Sequence, residues 1–313
     1  MRACMPLLVS LSACTPAGAQ LAFVTNQGTD TVSVMDLQTH RSLVEIPVDK
    51  DPAGVAIERS GARVFITTPS AHGLSVIDVA SRKQTQQIAL GGEVLGIARD
   101  PVRDLVYVTE WYGRRLVALD TRTLKIVDEA TTGEVPAGVA VSPDGGWLIL
   151  AERDANTVAL HALPGLERLA TLKVGKAPFG VSISADGTQA FVANVQSNSI
   201  SLVDFKTRKV TAEITVGEAP YAIAHDARRQ RLLVTNQQAG TVSLVDLAAL
   251  QAGPPVPVGE YPEGVNYSPA LDRYYVANWF DNELVVLGGE KLDIISRIRS
   301  GDGPRAFGDF ILY

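Results

Sequence analysis

Cysteine is almost missing from this chain. Its 313 residues hold two, Cys4 and Cys14, both inside the first fourteen positions, so the body has neither a disulfide framework nor a thiolate for a soft metal. Histidine is nearly as scarce: His40, His72, His161 and His225 stand alone, and no pair has metal-ligand spacing. No metal and no cofactor are expected. A "GxSxG" nucleophile turn is absent, and no Ser-His-Asp set is evident. A basic excess is also lacking. Lysine and arginine total 28 against 34 acids, and the net charge of −6 opposes non-specific attraction to nucleic acid or anionic lipid. After the amino terminus no apolar run approaches the roughly 20 residues of a membrane helix.

The opening "MRACMPLLVSLSACTPAGAQ" resembles a secretory signal, with Arg2 before a short apolar run and small residues after it. Residues 1–19 are therefore set apart from the fold. Two readings stay open: cleavage after "AGA", Ala17 to Ala19, or a lipobox at "LSAC" that would leave Cys14 lipidated. Either places the protein in the periplasm or outside the cell.

What the chain has in abundance is repetition. "FVTN" begins at Phe23, "FITT" at Phe65, "YVTE" at Tyr107, "ILAE" at Ile149, "FVAN" at Phe191, "LVTN" at Leu233 and "YVAN" at Tyr275, each 42 residues after the last. "TVSVMD", "LSVIDV", "LVALDT", "TVALHA", "SISLVD", "TVSLVD" and "ELVVLG" follow at the same step. Each unit then runs into a loop ending in proline at Pro52, Pro136, Pro178, Pro220, Pro262 and Pro304, with Val94 in place of proline once. Self-similarity at this period, with four short alternating strands per unit, marks a β-propeller blade. Residues 20–313 are expected to form an all-β, seven-bladed propeller with four antiparallel strands per blade.

In the second unit, strand A is read from "PAGVAIE" (52–58), B from "VFITT" (64–68), C from "LSVID" (74–78) and D from "QTQQIAL" (84–90). Strand C ends in Asp36, Asp78, Asp120, Asp204 and Asp246, each suited to an Asx-turn into strand D; Ala162 and Gly288 break the rule. Strand A carries Gly54, Gly96, Gly138, Gly180, Ala222, Gly264 and Ala306 in register, as expected where innermost strands crowd one axis. The closing segment "PRAFGDFILY" (304–313) is a strand A without B, C or D, while residues 21–48 supply B, C and D without A. Pairing the two closes the ring and hides both edges.

"FVTNQGTDTVSVMDL", "PAGVAVSPDG" and "VGKAPFGVSISADG" resemble the YVTN family of β-propeller repeats, YncE-like proteins of the periplasm or cell exterior, over residues 21–313. The resemblance implies the propeller and is weak for function. Relatives of this kind include microbial surface-layer proteins, periplasmic proteins without assigned role, some of which are thought to bind DNA, and the propeller subunits of quinoprotein dehydrogenases.

In propellers the B–C and D–A loops open on one face around the central channel. Here that face holds Trp111, Tyr112, Trp279 and Phe280, with Arg114, Arg115 and Arg153, while Phe179, Tyr221, Glu263 and Arg305 follow the proline position. Trp, Tyr and Arg are enriched at binding hot spots, so the aromatics form a recognition patch or, alternatively, plug the channel mouth. Glu110 and Glu152 replace the Asn that ends strand B elsewhere. They act as an acid/base pair or form ion pairs with Arg114 and Arg153, and the available arginines favour ion pairs. Asp49, Asp51, Glu93, Glu134, Glu218, Glu260 and Asp302 make an acidic collar that disfavours nucleic acid. "GDGPRA" (301–306) matches a dinucleotide pattern by chance, since no helix follows it.

The expectation is a non-catalytic binding or scaffolding propeller that meets a protein partner or small ligand at the channel mouth. The alternative is a lactonase-like hydrolase or a quinoprotein dehydrogenase subunit. A lactonase-like site would need Glu, Arg and His together, and only His72 lies on that face.

Overall fold

The computed structural model describes residues 20–313; the expected export signal of residues 1–19, with its two alternatives of cleavage after Ala19 or lipidation at Cys14, lies outside the described residues. Seven antiparallel sheets follow one another along the chain, one per repeat. Blade two, for example, is Gly54–Ile57, Arg63–Thr68, Gly73–Asp78 and Lys83–Ala89, close to the bounds expected from its turns. Blades three to seven follow the same A-B-C-D order, beginning with Val94–Arg99, Pro136–Val141, Pro178–Ile183, Pro220–Asp226 and Pro262–Ser268. Among the described residues no helix is long and apolar enough to cross a membrane.

Strands B and C are covered on both faces by the neighbouring blades, which is why "LAFVTN" and "RVFITT" are buried almost end to end. The core therefore lies between blades. Phe23 and Val34 of blade one, Val64 and Ile66 of blade two and Tyr275 and Val286 of blade seven share one apolar cluster. Strand D is the outer edge and is largely exposed. In blade six it is split into Gln251–Ala252 and Val256–Pro257 by Gly253, Pro254 and Pro255, prolines that cannot donate to another strand. The expected Asx-turns form: Asp36 accepts the amides of Gln38 and Thr39 at 2.8 and 3.0 Å, and Asp120 those of Arg122 and Thr123.

Strand A bulges in the same place in blades three to seven, with one surplus residue between the proline position and the ladder beyond it. The bulge brings each inner strand against the next blade. A Cβ added to Gly96 would lie 2.1 Å from the Ala137 carbonyl oxygen, and one on Gly264 2.0 Å from that of Ala306. Smallness here is steric. The threonine of the B-strand motif ties the same junction: Thr109 donates to the Ala137 carbonyl at 2.7 Å and accepts the Gly96 amide at 2.9 Å. Thr25, Thr67 and Thr235 donate to Ala53, Leu95 and Glu263 in the same way.

Ring closure occurs between the expected partners, in a more broken form than a plain fourth strand. Ile311–Leu312 pairs antiparallel with Leu21–Asn26, and Pro304 bridges Asn26. Between these anchors Phe307–Asp309 leaves blade one and runs parallel to Gly54–Ile57 of blade two. The register shows why: the segment between its anchors is longer than its counterpart in the other blades, and the surplus is pushed toward the axis through Ala306 (φ 48°) and Gly308 (φ 114°).

Candidate functional site

The channel mouth is built from two rings that the repeat places in register. Each B–C loop is a tight turn whose last residue is left-handed: Asp30, His72, Arg114, Asn156, Asn198, Gly240 and Asn282. The first residue of each turn faces the axis, giving Gln27, Pro69, Trp111, Arg153, Val195, Gln237 and Trp279 around one cleft of about 610 Å³. Beneath lies the residue after the proline position. In blades two to four it is Ala53, Leu95 and Ala137; in five to seven and the closing strand it is Phe179, Tyr221, Glu263 and Arg305. One side of the floor is therefore small and apolar, and the other carries a contiguous aromatic and charged arc.

Glu263 is buried and accepts Arg305 Nε at 2.7 Å and Gln237 Nε2 at 2.7 Å. Arg305 Nη2 donates to the Tyr221 hydroxyl at 2.6 Å, and its guanidinium lies 5.1 Å from the Trp279 ring centre. Burial pushes the Glu263 carboxyl above its usual range despite Arg305 and Gln237. Burial also raises the Tyr221 phenol, so it stays protonated as a donor. Arg305 is held charged: burial opposes its charge, and Glu263 and Tyr221 outweigh that cost.

The aromatics divide into two groups. Phe179 and Tyr221 are buried and stack at 4.3 Å between ring centres; Phe307 meets them at 5.1 and 5.7 Å, and Trp111 meets Phe179 at 5.8 Å. These rings close the channel below the cleft. Tyr112 and Phe280, the second residues of their turns, are 69% and 62% exposed, with Phe280 resting on Tyr261 at 5.1 Å. The rings that close the channel and the rings left exposed at its mouth are therefore different residues. Phe307 was not anticipated, because its place depends on the surplus in the closing strand. Gln237 was legible as the blade-six equivalent of Trp111 and Trp279.

Glu110 and Glu152 do not line the cleft. Each folds into the D–A loop of its own blade, over a glycine that leaves room for it: Gly92 for Glu110 and Gly133 for Glu152. Asn194, Asn236, Asn278 and Asn26 sit on Gly175, Gly217, Gly259 and Gly301 in the same manner. Both glutamates are ion-paired, with partners other than those expected. Glu110 meets Arg115 at 2.8 Å, and Glu152 meets Arg168 at 2.8 Å together with the Gly133 amide and the Thr157 hydroxyl. Arg114 and Arg153 turn instead to the rim acids Glu134, at 3.6 Å, and Asp154. The reason is direction: Arg115 and Arg168 rise from strands C and D beside the glutamates, while Arg114 and Arg153 sit in turns that face the rim.

Glu93, Glu134, Asp154, Glu218, Glu260 and Asp302 are exposed around the mouth. With Arg114 and Arg153 spent on two of them, the rim is net negative. His72 is not among the cleft residues, so Glu263 and Arg305 have no imidazole beside them there. Among the described residues no group of three or more His, Cys, Asp or Glu side chains is placed to hold a metal ion.

Against known proteins, the YncE-like β-propeller family matches residues 17–101 and 99–273. No curated protein matches the sequence. Among solved structures, hydrazine synthase of Kuenenia stuttgartiensis superposes with a TM-score of 0.80 at 20% identity, covering 89% of this chain and 94% of that one. A functionally unknown protein from Desulfotomaculum acetoxidans superposes with a TM-score of 0.77 at 15% identity, over 91% and 99% of the two chains. At these identities the likeness is one of fold. Since the family match spans most of the seven-bladed ring, the chain belongs to the YncE-like β-propeller family.

Proposed function

We propose that this protein is a non-catalytic binding propeller of the periplasm or cell envelope, and that its channel-mouth cleft takes a cationic group presented by a protein partner or a small ligand. The observation that carries this is the composition of the mouth: exposed Tyr112, half-buried Tyr261 and the half-buried indoles of Trp111 and Trp279 line a cleft of about 610 Å³ inside an acidic rim, and exposed Phe280 rests on Tyr261 beside it. Aromatic faces attract cations through their quadrupole, and a rim of one sign steers the opposite charge toward them. Arg305 does not reverse this preference, since Glu263 neutralises it.

The test is calorimetric titration of the protein with lysine- and arginine-bearing peptides, with acidic peptides of equal length, and with small alkylammonium ions, at low and high salt. Basic peptides or alkylammonium ions should bind, more weakly at high salt, and Tyr112→Ala/Phe280→Ala should lose at least about tenfold in affinity, the scale of a single hot spot. Equal binding of acidic peptides, or unchanged affinity in the double variant, would refute the proposal. Peptide binding without alkylammonium binding would favour a protein partner.

A further inference from the structure

The opposite end of the channel carries a second chamber that the mouth does not use. Cavities of about 490 and 190 Å³ adjoin there beneath the Phe307 plug, together within the size range of small-ligand sites. A third ring of the repeat lines them, the residue 42 positions apart at the end of strand A: Ile57, Arg99, Val141, Ile183, His225, Tyr267 and Asp309. Four of the seven are aliphatic or aromatic. Two are oppositely charged, Arg99 in blade three and Asp309 in the closing strand, with only blade two between them.

Arg99 is half-buried and Asp309 is exposed, so water reaches the carboxylate. Arg99 and Asp309 make no side-chain hydrogen bond and no ion pair, to each other or to any other described residue. Arg103, Arg115, Arg229 and Arg231, by contrast, each hold a carboxylate. Both side chains line the two adjoining cavities, so they border a common space. Asp309 arrives there through the irregular part of the closing strand, the same excursion that sets Phe307 in the channel. A segment that gives up its antiparallel ladder to deliver one plug and one carboxylate to the axis breaks the local rule at a place where such departures signal function.

We infer that this lower chamber binds a small zwitterion with an aliphatic tail, its carboxylate on Arg99, its ammonium near Asp309, and its tail against Ile57, Ile183 and Ile223. A guanidinium and a carboxylate lining one chamber match the two ends of such a ligand, and a ligand bearing one charge would gain only one of the two pairings.

The probe is L-leucine, compared by calorimetry with 4-methylpentanoate, which lacks the ammonium, and 3-methylbutylamine, which lacks the carboxylate. Leucine should bind saturably, and each analogue at least about tenfold more weakly. Arg99→Gln should bring leucine down to the affinity of the amine, and Asp309→Asn to that of 4-methylpentanoate, with unfolding midpoints near wild type. The mouth variant Tyr112→Ala/Phe280→Ala should bind leucine as the wild type does, so failure at one end is separable from failure at the other. No saturable leucine binding up to about 10 mM, or 4-methylpentanoate binding as tightly as leucine, would overturn the inference.

Discussion

Thr109 offers the sharpest test of how the ring is held together. It is fully buried between blades three and four, donating to the Ala137 carbonyl at 2.7 Å and accepting the Gly96 amide at 2.9 Å. Thr109→Ala removes one methyl, worth about 0.8 kcal/mol, and strands a buried donor and acceptor at about 1–3 kcal/mol for each group that finds no other partner. A loss of about 2–4 kcal/mol is expected. With about 2.1 cal/mol/K of unfolding entropy per residue over roughly 290 residues, the midpoint should fall by about 3–7 °C. Thr109→Ser keeps the hydroxyl and should lose less than about 1 kcal/mol. The assay is denaturant unfolding followed by calorimetry for wild type and both variants. If Thr109→Ala unfolds within about 0.5 kcal/mol of wild type, or if serine costs as much as alanine, the hydroxyl is not the tie proposed. Blades four, five and seven carry Ala151, Ala193 and Ala277 at this position, so the tie is used at four junctions of the seven.

Deleting residues 305–313 exposes the inner edge of blade one and removes the plug; the truncated chain should unfold or associate, and a monomer of unchanged melting temperature on analytical size exclusion would contradict ring closure. Phe307→Ala should cost about 3–5 kcal/mol by chemical denaturation, because losing this buried ring removes its contacts with Phe179 and Tyr221 and enlarges the cavity below them. Burial alone would raise the Glu152 carboxyl, but Arg168, the Gly133 amide and the Thr157 hydroxyl outweigh it and hold the group below its usual value. A folded-state value below the unfolded one means that Glu152 contributes stability above the ordinary carboxylate range and loses it as pH falls through the folded value. Glu152→Gln should therefore be less stable than wild type at pH 7, with the gap narrowing toward pH 3 in a pH series of unfolding midpoints. Tyr112→Ala/Phe280→Ala touches only exposed rings and should stay within about 0.5 kcal/mol of wild type, a difference that thermal unfolding resolves.

Much of this architecture was open to reading because a blade is a local unit. Four strands joined by short turns need nothing from distant sequence to form, so the 42-residue step, the Asx positions and the small residues of strand A all report on the fold directly. The same step also placed both rings of the mouth. Trp111, Trp279, Phe179, Tyr221, Glu263 and Arg305 were identified because loops of one length and one geometry aim equivalent positions at the same axis. The pairing of Glu110 and Glu152 was less legible. Proximity in sequence pointed to Arg114 and Arg153, while strand pairing and blade neighbours brought in Arg115 and Arg168.

By itself, then, the sequence determined the number of blades, the order of strands within each, the closure of the ring, and which residues ring the channel, since each of these follows from periodicity and turn chemistry. Only the tertiary structure decided what those rings do across the axis. Whether Phe179 and Tyr221 form a patch or a plug depended on Phe307, whose position follows from surplus residues in a strand anchored at both ends. Whether Arg99 and Asp309 are paired depended on the distance between blades that meet only once the ring is closed. A repeat specifies how each blade is built; contacts across the channel are made by the residues that differ between blades, and they exist only when all seven are in place.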